Sequence, residues 1–239
     1  MNITVLGTGS VGLVTGACLS HLGHQTICVD LGASGEASIP EDGVPDWEPG
    51  LNELLLQGFH QQRIQFFTDI PEAIREGEVV IIAVETPLLP NGRTDLTLVW
   101  KAVELIARHH DGQPLVLVQS AVPVGTTRAI QEAFQKDPHC EQLEVAYCPA
   151  FFSRGNAVRD FLQPQKIVLG VETSQAQEIV TRIYRDIPCE LKVLDFQSAE
   201  WIQHASRAYL AMKLSYVQML ARFRQQQGEA KDNSLTRAE

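Results

Sequence analysis

Positive charge is scarce in this sequence of 239 residues, which has 19 Lys and Arg against 29 Asp and Glu and a formal net charge of −10. Proteins that bind the phosphate backbone of nucleic acids need clustered Lys and Arg. We therefore expect no nucleic-acid partner. The same negative balance is repelled by anionic membrane surfaces, so we expect no membrane partner either.

Cysteine is also sparse and unpaired in pattern. The five cysteines are odd in number, and no two of them form a C-x-x-C pair. This argues against a disulfide framework and against a zinc site, and it is typical of a reducing compartment. The histidines lack metal-ligand partners at useful spacing, so we predict no metal site.

Long apolar runs are absent as well. No run approaches the roughly 20 residues that cross a bilayer. The N-terminus leads directly into a strand pattern, with no charged leader followed by an apolar core, so we expect no signal peptide. Together with the cysteine usage, this predicts a cytoplasmic protein.

What the sequence does contain is an alternation of short apolar runs with amphipathic segments. This alternation predicts a Rossmann-like, doubly wound α/β fold with a mainly parallel sheet. The predicted strands are residues 3–6, 26–29, 64–67, 79–84, 115–119, 143–146 and 167–170, with a short one at 191–194. The predicted helices are residues 11–22, 50–56, 71–75, 96–109, 126–135 and 174–184.

Two segments depart from this rhythm. Residues 31–49 are rich in Gly, Ser, Pro and acids, which predicts a surface loop. From residue 198 onward, apolar residues recur at spacings of three and four, which predicts one long helix over 198–227 with Ser198 as its N-cap. We therefore divide the chain into a domain of residues 1–197, a helix of residues 198–227 and a polar tail of residues 228–239.

The most specific motif is a G-x-G-x-x-G sequence placed directly after the first strand. It consists of Gly7, Thr8, Gly9, Ser10, Val11 and Gly12. Gly7 permits a tight turn, Gly9 allows the backbone to approach a pyrophosphate, and Gly12 allows close packing of helix and strand. Asp30 ends the second strand, where an acid accepts hydrogen bonds from the adenosine ribose and repels a 2′-phosphate. The motif therefore predicts NAD rather than NADP; the alternative is a glycine-rich turn that has lost its nucleotide.

Several further motifs in the same order resemble the UDP-glucose/GDP-mannose 6-dehydrogenase family. They are GTGSVGLVTGACLSHLGHQTICVD, WEPGLNELL, IIAVETPLLPNGRTDL, SAVPVGTT and PAFFSRGNAVRDFLQPQKIVLGV. The resemblance implies an NAD-binding domain followed by the family's central dimerisation helix, with the chain ending before a sugar-binding domain. It also implies that Val84, Thr86 and Pro87 contact the cofactor, because they match the family's V-G-T-P loop with Glu85 in place of the glycine.

The resemblance also shows where this sequence departs from the family's catalytic residues. The threonine of S-T-V-P-x-G is Ala121, and the two glutamates of P-E-F-L-x-E are Ala150 and Arg154. A lysine and an asparagine of the central helix are Gln203 and Arg207. The family's nucleophilic cysteine, which carries a thiohemiacetal during the two NAD-dependent oxidations at the sugar C6, lies beyond the end of this chain.

The base and the oxyanion-stabilising groups that the family reaction needs are substituted in this sequence, and the nucleophile lies beyond its end. Our first hypothesis is therefore a non-catalytic NAD-binding relative that acts as a sensor, scaffold or partner and forms a homodimer through helix 198–227. The second is an NAD-dependent oxidoreductase that acts on a UDP- or GDP-sugar, or another alcohol, by an altered mechanism or with a second polypeptide.

Individual residues leave further alternatives open. Cys148 is either a replacement nucleophile or a small buried residue, and His204 is either a base or a partly exposed helix histidine. Arg154 and Arg207 pair either with a new anionic ligand or with local carboxylates. Glu85 interferes with a cofactor phosphate if its side chain points inward.

Overall fold

The computed structural model describes residues 1–31 and 48–226. Most of the predicted loop at 31–49 and the whole predicted tail at 228–239 lie outside the described residues. Tight clustering of contacts divides the chain into two units, Met1–Glu200 and Trp201–Glu239. The division that we drew after residue 197 stays a prediction.

An eight-stranded sheet forms the centre of the first unit, in the order β3-β2-β1-β4-β5-β6-β7-β8. Its strands are β1 (Asn2–Leu6), β2 (Gln25–Val29), β3 (Ile64–Phe67), β4 (Val79–Ile82), β5 (Leu115–Val118), β6 (Val145–Tyr147), β7 (Lys166–Gly170) and β8 (Glu190–Leu194). All neighbours pair in parallel except β6 and β7, which pair antiparallel through Tyr147 and Gly170. The predicted doubly wound, mainly parallel fold is thus confirmed.

Helices alternate with these strands. They are α1 (Ser10–His21), α2 (Leu51–His60), α3 (Ile70–Glu76), α4 (Thr97–His109), α5 (Thr126–Gln135), α6 (Ala157–Leu162), α7 (Ser174–Ile183) and α8 (Phe196–Gln226). Strands β4 and β5 are buried along their whole length, because helices cover both faces of the sheet there. This layering explains why their sequences are continuous apolar runs rather than alternating ones.

One helix was missed and one was misplaced at its start. We did not predict α6, whose six residues are too few to show a helical period. Helix α8 begins at Phe196 rather than at residue 198, so the prediction of Ser198 as its N-cap is wrong. The Asp195 carboxylate caps this helix instead, accepting the Ser198 backbone N–H at 2.9 Å and its hydroxyl at 2.6 Å.

The first turn of α8 packs against strand β7 within the first unit. Phe196 and Ala199 are buried. A β-carbon on Gly170 would lie 2.9 Å from the Ala199 β-carbon and 3.1 Å from the Phe196 α-carbon, so the strand needs a glycine there. The start of α8 is therefore part of the core of the first unit.

The second unit contains the rest of α8, and its apolar side chains are largely exposed. The exposed large apolar residues are Trp201, Tyr209, Leu210, Met212, Leu214, Tyr216, Met219, Leu220 and Phe223. Across residues 1–31 and 48–226, no helix combines the length and the apolar character that crossing a bilayer requires.

Candidate functional site

The glycine-rich loop lies between the end of β1 and the start of α1. Gly7 has a φ of +119°, and a β-carbon there would lie 2.5 Å from the carbonyl oxygen of Ala83 on the neighbouring segment. Its N–H donates to the Val29 carbonyl at 2.7 Å, which ties the loop to the end of β2. Only glycine satisfies both the backbone angle and the close approach.

The loop is closed on its other side by Gly12. A β-carbon on Gly12 would collide with the Gly7 carbonyl, so the first turn of α1 packs directly on the loop. Gly9 is the N-cap of α1, no side-chain cap hydrogen bond is made there within the described residues, and the first turn has no acidic residue. The N–H groups and the positive end of the helix dipole at Ser10 and Val11 therefore suit an anion.

Glu85 points toward this loop. Its Oε1 lies 3.3 Å, and its Cγ 3.5 Å, from the position that a β-carbon would take on Gly9. The carboxylate thus occupies the face that Gly9 leaves open, although the Glu85 side chain as a whole is exposed. The Glu85 side chain therefore points inward, which is the orientation that we expect to oppose a cofactor phosphate.

The remaining predicted cofactor residues lie at the same carboxyl edge of the sheet. Asp30 directly follows β2, and Thr8 lies within the glycine loop. The Val84 carbonyl accepts the Ser120 hydroxyl at 2.8 Å. Thr86, which precedes the exposed Pro87, donates its hydroxyl to the Ala121 carbonyl at 2.8 Å. These bonds fix the segment after β4 against the segment after β5.

A pocket opens at the carboxyl ends of β5 and β6. Gln119 and Cys148, which directly follow these strands, line it together with Phe152, Phe161 and Tyr184. The ring centroids of Phe161 and Tyr184 are 5.9 Å apart, and those of Phe152 and Phe161 are 6.0 Å apart. Aromatic rings thus form part of the pocket wall, which also includes Asp160 and Lys166.

Two polar groups inside this region are held in fixed positions. The Gln119 carboxamide oxygen accepts the Thr15 hydroxyl at 2.7 Å, which links β5 to α1. The Cys148 thiol donates to the Tyr184 hydroxyl at 3.8 Å. Burial raises the pKa of Cys148 to about 12, and the bond to Tyr184 lowers it only in part. A thiol with such a pKa is a poor nucleophile at neutral pH, which favours the structural interpretation of Cys148.

The positions at which the sequence departs from the family that it resembles are spread over the fold. Ala121 follows β5, and the buried Ala150 lines the pocket. Arg154 is exposed in the segment before α6. Gln203, which is buried, and Arg207, which is exposed, lie one helical turn apart on the part of α8 that belongs to the second unit.

Sequence reasoning missed two buried glutamates that cap helices near these segments. Glu48 accepts the backbone N–H groups of Gly155 and Ala157, both at 2.8 Å, at the start of α6. Glu200 accepts the N–H of Gly125 at 2.5 Å and of Thr127 at 2.8 Å, together with the Thr127 hydroxyl at 2.6 Å, at the start of α5. Their partners are 73 to 109 residues away, so no local pattern reveals them.

Metal ligation has no support in the described parts of the chain. Among residues 1–31 and 48–226, no group of three or more His, Cys, Asp or Glu residues is placed to hold a metal ion. All five cysteines are free, and four of them are buried.

The first 188 residues match the sequence profile described as the UDP-glucose/GDP-mannose dehydrogenase family, NAD binding domain. This confirms both the family resemblance and the prediction that NAD is the cofactor of this domain. The chain is 34% identical over 220 residues to the UDP-glucose 6-dehydrogenase TuaD of Bacillus subtilis, covering 92% of this chain and 48% of the relative. It is also 34% identical to the UDP-glucose 6-dehydrogenase of Rhizobium meliloti, covering 92% and 52%.

Solved structures agree with these sequence matches. A UDP-glucose dehydrogenase from Pyrobaculum islandicum superimposes with a TM-score of 0.85 and 30% identity, over 92% of this chain and 52% of that one. A GDP-mannose dehydrogenase from Pseudomonas aeruginosa, solved as a ternary complex, gives 0.84 and 27% over the same shares. The chain therefore spans about half the length of the relatives that it matches.

Proposed function

The chain belongs to the UDP-glucose/GDP-mannose dehydrogenase family, and we propose that it binds NAD without catalysing the family's oxidation by the family's mechanism. Its role would then be that of a sensor, a scaffold or a partner protein. The observation that carries this proposal is a contrast at the carboxyl edge of the sheet: the glycine loop is intact, whereas Ala121 and Ala150 stand where the family resemblance expects catalytic side chains.

The intact part of the site supports NAD binding. Gly7, Gly9 and Gly12 form a closed loop on an uncapped helix N-terminus, which is the arrangement that accepts a dinucleotide diphosphate. Asp30 follows the neighbouring strand, at the distance along the chain where a carboxylate accepts the ribose hydroxyls. We propose that Thr8, Ser10 and Val11 contribute backbone N–H groups, and that Val84, Thr86 and Pro87 form the opposite wall.

The replaced part supports the loss of the family's chemistry. Ala121 and Ala150 carry no group that can move a proton or stabilise an oxyanion. Arg154 and Arg207 carry positive charge where the family resemblance expects a carboxylate and an amide. Cys148 stays protonated at neutral pH, because burial raises its pKa to about 12.

Two measurements on the purified protein test the proposal. Calorimetric titration with NAD should give saturable binding, and the Gly12→Ala variant should lose it. Incubation with NAD and UDP-glucose or GDP-mannose should give no growth of the NADH absorbance band. Absence of NAD binding would overturn the first half of the proposal, and steady turnover by the protein alone would overturn the second.

An alternative function is an NAD-dependent oxidation of a UDP- or GDP-sugar, or of another alcohol, by altered residues or with a second polypeptide. What favours it is that the relatives carry about as much chain again outside the matched part. Turnover that is lost in Cys148→Ser or in His204→Gln would support an altered mechanism. Turnover that begins only on adding the unmatched half of such a relative would support a second polypeptide.

We also propose that the protein is a homodimer formed through α8. Among the described residues of the second unit, nine large apolar side chains are exposed, and the helix of 31 residues is roughly 46 Å long at 1.5 Å per residue. Monomeric proteins rarely expose an apolar surface of that extent. A second copy of the same helix is the simplest partner, because symmetric self-association buries the same surface on both chains.

A further inference from the structure

We infer that Glu85 is an affinity-determining residue of the proposed NAD site, whose carboxylate occupies the diphosphate position and is displaced when the dinucleotide binds. The inference rests on the proposed function, because it concerns the regulation of that same site. It adds that the site contains an anion, the Glu85 carboxylate, that competes with the diphosphate of NAD.

The position of the Glu85 side chain is the first support. Its Oε1 and Cγ lie 3.3 and 3.5 Å from the place that a β-carbon would take on Gly9. Gly9 is the one residue of the loop whose missing side chain opens onto this neighbour, since Gly7 and Gly12 face backbone atoms. The carboxylate therefore lies in the space through which a diphosphate approaches the loop.

The electrostatics of α1 give the second support. The first turn of α1 contains no acidic residue, and no side-chain cap hydrogen bond forms at its N-terminus in the part of the chain that the structure describes. The start of a helix attracts negative charge through its free N–H groups and its dipole. Glu85, which is contributed by the segment after β4, supplies that charge from outside the helix. A diphosphate would meet both the occupied space and a like charge.

The surroundings of Glu85 show which part of it moves. The backbone on either side is held, since Val84 accepts a bond from Ser120 and Thr86 donates one to Ala121, both at 2.8 Å. The Glu85 side chain is exposed and has solvent into which it can rotate. Binding of the dinucleotide therefore requires a rotamer change of one side chain and no movement of the loop.

This arrangement predicts a specific pattern of affinities. Removing the charge in Glu85→Gln, or the side chain in Glu85→Ala, should raise the affinity for NAD and for ADP-ribose about fivefold or more, which is the effect of one charge at a helix N-terminus. Adenosine, which has no diphosphate, should bind the wild type and both variants equally. The gain should shrink as salt screens the repulsion.

Calorimetric titration of the full chain with these three ligands, at low and at high salt, is the test. Glu132→Gln is the matched control, because it removes one exposed carboxylate from α5 and should leave all affinities unchanged. Thermal unfolding of each variant without ligand verifies folding. Equal NAD affinities in the wild type, Glu85→Gln and Glu85→Ala would overturn this inference and leave the proposed function standing. No NAD binding by any of the three folded proteins would overturn the proposed function itself.

Discussion

The carbonyl oxygen of Gly7 occupies the space that a β-carbon on Gly12 would need. Because the obstructing atom belongs to the backbone, it cannot rotate away, and Gly12→Ala must push the loop off the first turn of α1. We expect this variant to lose NAD binding and to unfold at a lower temperature. Gly112→Ala is the control for binding: among the described residues nothing lies within 4 Å of the added carbon, and the φ of +69° at Gly112 gives this variant backbone strain away from the loop, so it should lower stability while leaving NAD affinity unchanged. Retained NAD affinity in Gly12→Ala would contradict the assignment of this loop.

Asp30 should determine the choice between NAD and NADP. Its carboxylate follows β2 at the edge where the ribose of a bound dinucleotide would lie. Replacing it by alanine removes a charged hydrogen-bond acceptor and the repulsion of a 2′-phosphate. We expect Asp30→Ala to lose about tenfold in NAD affinity, the effect of one charged hydrogen bond, and to bind NADP better than the wild type does. Parallel calorimetric titrations with the two dinucleotides measure this, and an unchanged affinity ratio would count against the role of Asp30.

Glu200 should contribute strongly to stability. Its carboxylate is fully buried and accepts three hydrogen bonds at the start of α5, including both groups of Thr127. Glu200→Ala leaves those donors buried without an acceptor, so we expect the free energy of unfolding to fall by about 2–4 kcal/mol. Urea unfolding followed by circular dichroism measures the loss. Glu178→Ala, at an exposed position of α7, should change stability by less than about 0.5 kcal/mol; similar losses in both variants would refute the capping role.

Buried thiols should make the protein sensitive to alkali. Burial raises the pKa of Cys28 and of Cys148 from 9.0 to about 12. Above pH 9.0 the unfolded thiols ionise while the folded ones stay protonated, so stability falls as pH rises toward about 12. Each such thiol contributes a slope of about 1.4 kcal/mol per pH unit.

The Cys148→Ser variant tests this through a slope rather than through an absolute stability, which the substitution itself also changes. Urea unfolding across the alkaline range should show a shallower fall for Cys148→Ser than for the wild type. Cys189→Ser is the comparison, because Cys189 is only partly buried and should alter the slope less. If stability falls with pH equally steeply in the wild type and in Cys148→Ser, this thiol ionises equally in the folded and unfolded states, and the prediction is wrong.

The proposed homodimer predicts that new charges on α8 will reduce the mass of the protein in solution from that of a dimer to that of a monomer. Met212 and Tyr216 are 61% and 57% exposed and lie one helical turn apart. We expect the wild type to elute with twice the chain mass of 26.5 kDa in light-scattering chromatography, and Met212→Glu with Tyr216→Glu to elute as a monomer. Gln218→Glu adds one such charge at an exposed polar position and should remain dimeric. A monomeric wild type would end the proposal.

Sequence reasoning located the elements whose signals are local. The apolar runs of β4 and β5 and the glycine motif before α1 each lie within a few residues, so period and spacing were sufficient to predict the sheet and the cofactor loop. Helix α5 was predicted with both of its ends correct.

What the sequence did not reveal depends on partners that are distant along the chain. The orientation of Glu85 toward Gly9 follows from the meeting of β1 and β4, which are separated by more than 70 residues. The carboxylates of Glu48 and Glu200 cap the N-termini of α6 and α5, which are more than 70 residues away along the chain. Helix α6 was not predicted because it has only six residues and because the carboxylate that caps it, Glu48, is distant along the chain.

Glu200 also limits where this chain can be cut to give a fragment that folds. Consider a fragment that ends at the last residue of β8 or just after Asp195. It would lack Glu200, which accepts the free N–H groups at the start of α5. It would also lack Phe196 and Ala199, which pack on Gly170. Such a fragment should express poorly, whereas one extended past Glu200 by a helical turn should fold. We therefore expect the smallest piece that folds on its own to include the beginning of α8.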